Sequence, residues 1–91
     1  MKLHELTPNH MIFECPGCGC AHGVRVNGER NEAGGSWGWN GSMEKPTFTP
    51  SVLSQETIRC HSFVKNGRIQ FLTDCEHELA GQTVELPEWE E

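Results

Sequence analysis

Thr57-Ile58-Arg59-Cys60-His61-Ser62-Phe63-Val64-Lys65-Asn66-Gly67-Arg68-Ile69-Gln70-Phe71-Leu72-Thr73-Asp74 reads as one β-hairpin, and its reading decides the fold class. Asn-Gly is a strong two-residue turn signal between alternating strands. Placed at the tip, Asn66-Gly67 sets Lys65 opposite Arg68, Val64 opposite Ile69 and Ser62 opposite Phe71. Counting further, Cys60 faces Thr73 and Ile58 faces Cys75. Side chains alternate, so Cys60 and Cys75 share one face, and His77 joins them if extended chain continues. His61 falls on the other face with Phe63, and Arg59 meets Asp74 there. A slip of one residue would exchange the two faces.

Outward from Cys60, the chain offers a partner for its thiol in Cys15-Pro16-Gly17-Cys18-Gly19. Two thiols held two residues apart by a Pro-Gly turn converge on one point, and the turn aims backbone N–H groups at the sulfurs. This is half of a zinc site of mixed Cys/His type. Cys60 supplies a third ligand, and Cys75 or His77 completes the tetrahedron, with His22 and His61 as further donors in the chain. Cys20 lies on the wrong beat after the knuckle to join.

The remaining punctuation has the rhythm of a small β protein, with Gly, Pro or Asn every eight to twelve residues. Residues 1–10 read as an irregular, loosely ordered lead-in. Met11 to Glu14 and Ala21 to Val26 read as strands on either side of the knuckle, followed by a polar, Gly-rich loop to about Ser36. Trp37 and Trp39 alternate about Gly38 and share a face, ahead of an Asn40-Gly41 turn. Pro46 and Pro50 around Thr47-Phe48-Thr49 suit an edge strand. Glu76 to Ala80 has room for one short helix closed by Gly81, and Thr83 to Leu86 is the last strand, stopped by Pro87; 87–91 reads as loose. The expectation is a single all-β, zinc-stapled antiparallel domain over 1–91.

Composition agrees with a stapled domain. Of 91 residues 35% are hydrophobic and ten are glycine, so the core is thin and a metal would add needed stability. No stretch approaches the roughly 20 apolar residues of a membrane span, and the first six residues do not resemble an export signal. The expected compartment is the cytoplasm, where five cysteines, an odd number, read as ligands rather than disulfides. A net charge of −6, with Glu85, Glu88, Glu90 and Glu91 near the end, argues against nucleic acid, which needs clustered Lys and Arg.

The motif string Cys15-Pro16-Gly17-Cys18-Gly19 with His22, Trp39-Asn40-Gly41, Lys45-Pro46-Thr47-Phe48-Thr49-Pro50-Ser51-Val52, Cys60-His61-Ser62-Phe63-Val64, Gly67 to Leu72, Asp74, His77 and Leu79 to Val84 resembles one small family over residues 13–86. It is similar to the short phage and prophage proteins often labelled "ammonia monooxygenase". That label conflicts with the composition, since a membrane copper oxygenase needs spanning segments and a larger chain. The resemblance implies a phage-derived zinc-binding protein, and it favours His77 over Cys75 as the fourth ligand.

No complete catalytic motif is visible. The nucleobase deaminase pattern and His-Glu-x-x-His are both missing. The expectation is therefore a phage-related accessory or interaction module with a structural zinc, its partner a protein or small molecule and homodimerisation compatible with it. Trp37, Trp39, Asn40 and His61 are the candidate binding residues. The alternative is a small zinc hydrolase with an open metal position near His61, Asp74 and His77.

Overall fold

The computed structural model describes residues 1–55 and 58–89; Thr57, the expected first residue of the hairpin, and Glu90 and Glu91 of the acidic tail lie outside them. Among the described residues eight strands run in chain order: β1 (His4–Thr7), β2 (His10–Glu14), β3 (Ala21–Arg25), β4 (Gly38–Trp39), β5 (Phe48–Ser54), β6 (Cys60–Lys65), β7 (Arg68–Phe71) and β8 (Thr83–Glu85). They form two antiparallel sheets, ordered β1-β2-β3 and β4-β5-β6-β7-β8. The described residues contain no helix, so the fold is all-β.

The β6–β7 hairpin has the register the Asn-Gly turn dictates, from Lys65 opposite Arg68 to Ser62 opposite Phe71. Asn66 and Gly67 both take positive φ, as a two-residue hairpin turn of this type requires. Burial alternates along β6: Cys60, Ser62 and Val64 face inward, while His61, Phe63 and Lys65 face outward. The core is shared by the sheets. Met11 and Phe13 of β2 and Val24 of β3 pack with Phe48, Val64, Ile69 and Phe71, and the Phe13 and Phe48 rings stack with centroids 6.3 Å apart.

Four local expectations need correction. The lead-in 1–10 is not irregular: His4–Thr7 pairs with β2 along the edge of the three-stranded sheet and Leu3 is buried. β5 is internal to its sheet rather than an edge strand. Pro50 is tolerated because it falls where pairing with β6 shifts, between Phe48 and Val52, and a bulge demands no ladder donor. The 76–80 helix is replaced by turns, in which the Ala80 amide bonds the His77 carbonyl and the Gln82 amide bonds the Leu79 carbonyl. Ladder pairing of the hairpin also stops at Phe71 instead of reaching Thr73 and Cys75, and the chain from Leu72 onward folds round the start of β6.

Among the described residues no helix is long and apolar enough to cross a membrane.

Candidate active site and metal centre

Two clusters meet at the start of β6, one on each of its faces. On the inward face is sulfur. The knuckle between β2 and β3 is closed by the Cys15 amide on the Cys20 carbonyl and the Gly19 amide on the Cys15 carbonyl, both at 3.0 Å, with Gly19 at φ +75°. It brings Cys15 Sγ to 3.5 Å from Cys60 Sγ and Cys18 Sγ to 3.4 Å from His22 Nε2. The four donor atoms of Cys15, Cys18, His22 and Cys60 all lie within 4.8 Å of one another. Zinc–sulfur and zinc–nitrogen bond lengths put ligand atoms of a tetrahedral site roughly 3.5–3.8 Å apart, so this set has the dimensions of a metal cage.

The electrostatics agree. Burial first, then the neighbouring Cys15 and Cys18, push the Cys60 thiol far up. Burial also raises Cys18, with Cys15 adding to it and a backbone hydrogen bond at Cys20 opposing. Crowded sulfurs resist ionisation without a cation, and a dication among them reverses that preference.

Cys75 and His77, expected as alternatives for the fourth place, form a separate trio with Cys60. His77 Nε2 sits 3.4 Å from Cys60 Sγ, but His77 Nδ1 accepts the Leu79 amide at 3.2 Å. With Nδ1 accepting, the ring proton is on Nε2, which therefore faces Cys60 as a donor and not with a lone pair. The donor that reaches the knuckle sulfurs is His22, on the inward side of β3 with its ring edge-on to Phe13. Its signal was the Cys18-x-x-x-His22 spacing beside the knuckle.

On the outward face of β6 is a different chemistry. Ser51 Oγ lies 2.9 Å from His61 Nε2, and His61 Nδ1 lies 3.2 Å from Asp74 Oδ2. Arg59 Nη1 donates to the same Asp74 oxygen at 3.1 Å. Serine, imidazole and carboxylate thus stand in a line, in the roles of a nucleophile, a base and the group that orients the base. Ser51 occupies the shifted stretch of β5, and the indole N–H of Trp37 holds its carbonyl at 3.2 Å. Leu53 pairs with His61 across the strands. Asp74 arrives because the chain leaves the ladder after Phe71 and curls back. Partial desolvation pushes the Asp74 carboxyl up, yet the hydrogen bonds from His61 and Arg59 outweigh it and hold the group below its usual range. With Asp74 ionised and accepting from Nδ1, His61 presents an acceptor Nε2 to the Ser51 hydroxyl.

Of the expected binding residues, Trp37 and Trp39 pack against the core and Asn40 pins its own loop. Asn40 Oδ1 accepts the Ser42 and Thr47 amides and Nδ2 donates to the Lys45 carbonyl. His61 joins the serine line. Sequence reasoning missed Ser51: no nucleophile motif surrounds it, and only a pairing of β5 with β6 reveals that it meets His61.

The family model described as "Bacterial ubiquitination-like system serine protease (BubE)" matches residues 2–72. The match contains Ser51 and His61 and ends two residues before Asp74. No curated protein and no solved structure matches the chain.

Proposed function

We propose that this chain, which belongs to the BubE family of bacterial ubiquitination-like system serine proteases, cleaves an acyl bond with Ser51 as nucleophile. The observation that carries the reading is the hydrogen-bonded line from Ser51 through His61 to Asp74. His61 Nε2 takes the Ser51 proton as the oxygen attacks a carbonyl carbon, then returns it to the leaving amine. Asp74 keeps the proton of His61 on Nδ1 and stabilises the imidazolium formed in the attack. Arg59 fixes Asp74 from its second side. The acyl-enzyme on Ser51 is then hydrolysed by water with His61 again as base. The family's description implies that the bond is a peptide or isopeptide bond made by a ubiquitin-like modifier, and we place the work in a bacterial cytoplasm, for host or phage.

The sulfur cluster fits a structural zinc ion. Cys15, Cys18, His22 and Cys60 would hold it, three thiolates and an imidazole filling four positions, so that it supplies folding energy rather than an activated water. Its consequence for the reaction would be indirect: it would fix Cys60, the neighbour of His61.

The test uses a ubiquitin-like modifier bearing a C-terminal peptide extension. The wild-type chain releases the extension. Ser51→Ala loses at least about a thousandfold in rate, the scale on which triad nucleophiles act, while fold and zinc content stay as in the wild type. Hydrolysis at the wild-type rate by folded Ser51→Ala would overturn the reading.

A further inference from the structure

Cys75 stands between the two clusters: its sulfur groups with Cys60 and His77 on one side and bonds the His61 main chain on the other. It follows Asp74 directly and is 9% exposed. Its sulfur accepts the His61 amide N–H at 3.2 Å and donates its own proton to the His61 carbonyl at 3.1 Å. The same carbonyl accepts the Leu72 amide at 2.9 Å. A sulfur that donates is a thiol, whereas a metal ligand is a thiolate. The neighbours of Cys75 extend the grip. Asp74 takes the His61 ring and the Arg59 guanidinium. The Glu76 amide bonds the Arg59 carbonyl at 2.9 Å, and its carboxylate accepts the Arg59 amide at 2.6 Å. Three consecutive residues, 74–76, thereby clasp Arg59 and His61, on either side of Cys60.

We infer that Cys75 is a positioning residue of the Ser51–His61–Asp74 line and not a metal ligand, its protonated thiol fixing the main chain of His61 through both N–H and C=O. The need for it follows from the topology. Regular pairing of β6 with β7 ends at Ser62 and Phe71; Leu72 still donates its amide to the His61 carbonyl, but the Leu72 carbonyl turns to accept the Cys75 amide and no longer takes the His61 N–H. Cys75 Sγ takes the His61 amide that the Leu72 carbonyl would have taken in a continued ladder. It also ties the backbone that carries the base to the backbone that carries Asp74, which keeps the 3.2 Å contact between them. A hydroxyl has the same one donor and two acceptor sites, whereas a methyl group has none. Serine should therefore substitute here, and alanine should not. The catalytic consequence rests on the proposed function, but the contact does not.

The experiment compares wild type, Cys75→Ser and Cys75→Ala by zinc content, by hydrogen exchange of the His61 amide, and by the rate at which a fluorophosphonate probe labels Ser51. Zinc content is equal in all three. In Cys75→Ala the His61 amide exchanges about tenfold faster or more, and labelling slows by at least a similar factor, as expected from loss of a buried hydrogen-bond partner. Cys75→Ser stays close to wild type in both. Loss of zinc from Cys75→Ser or Cys75→Ala, or wild-type exchange at His61 in Cys75→Ala, overturns the inference. If the probe leaves wild-type Ser51 unlabelled, the protease reading fails, and the exchange measurement still decides the contact.

Discussion

Asp74 shows how single side chains here serve two neighbours at once. One of its oxygens accepts from both the His61 ring and Arg59, and these bonds hold its carboxyl below the usual range against partial desolvation. The folded state thus prefers the ionised group more than the unfolded chain does. The stabilisation this gives is present above the unfolded carboxylate pKa, about 3.9, and is lost as pH falls through the lower folded value. Asp74→Asn should keep the fold and metal but reverse or disorder the His61 tautomer, with kcat falling about a thousandfold to ten-thousandfold. The check is a kcat and KM determination, and an unchanged kcat would remove Asp74 from the mechanism. His61 and Asp74 were both legible in the sequence as polar residues on one hairpin face beside Arg59, though their contact forms only because the chain leaves the ladder after Phe71. Ser51 was not, since nothing local marks a serine as a nucleophile until a partner strand sets it against a histidine.

At the scale of elements, the knuckle and the β6 start determine which histidine can complete the metal site. His77 lies over Gly17 so closely that a Cβ at that position would collide with its ring, but its tautomer is set by the Leu79 amide. His22, fixed by β3 pairing opposite Phe13, offers its Nε2 to the sulfurs. His22→Ala should lower zinc retention under mild chelation to about the level of a site with one ligand missing, while His77→Ala should retain near-stoichiometric zinc. Metal analysis after dialysis against a competing chelator reads the difference, and the opposite order would assign the fourth place to His77. The sequence put His77 ahead of His22. The hairpin count assumed extended chain past Asp74, and the real chain turns away after Phe71 to satisfy the backbone of residues 59–61. The strand at His4–Thr7 was missed for a similar reason. Its residues are mostly exposed, so only pairing with β2, not a hydrophobic pattern, defines it.

In the whole molecule, one strand joins stability to chemistry. Cys60 faces the sulfur cluster that bridges the three-stranded sheet to the five-stranded one, and His61, one residue on, faces the serine line on the other side. The all-β class and the cysteine cluster were readable because turn signals and thiol spacing are local. The Ser51–His61–Asp74 line was not, because its three members come from β5, β6 and the chain beyond β7 and meet only after the sheet is assembled. The same alternation that buries Cys60 exposes His61, so a chain read for its metal alone passes over the base next to it. The proposed serine protease activity through Ser51 has a direct test. The measurement that tests it most directly is peptide mapping by mass spectrometry after reaction of the folded, metal-loaded protein with a fluorophosphonate. The account predicts one adduct per chain, on Ser51, lost when His61 is replaced by Ala. An adduct on another residue, or none on protein that still cleaves its substrate, would contradict it.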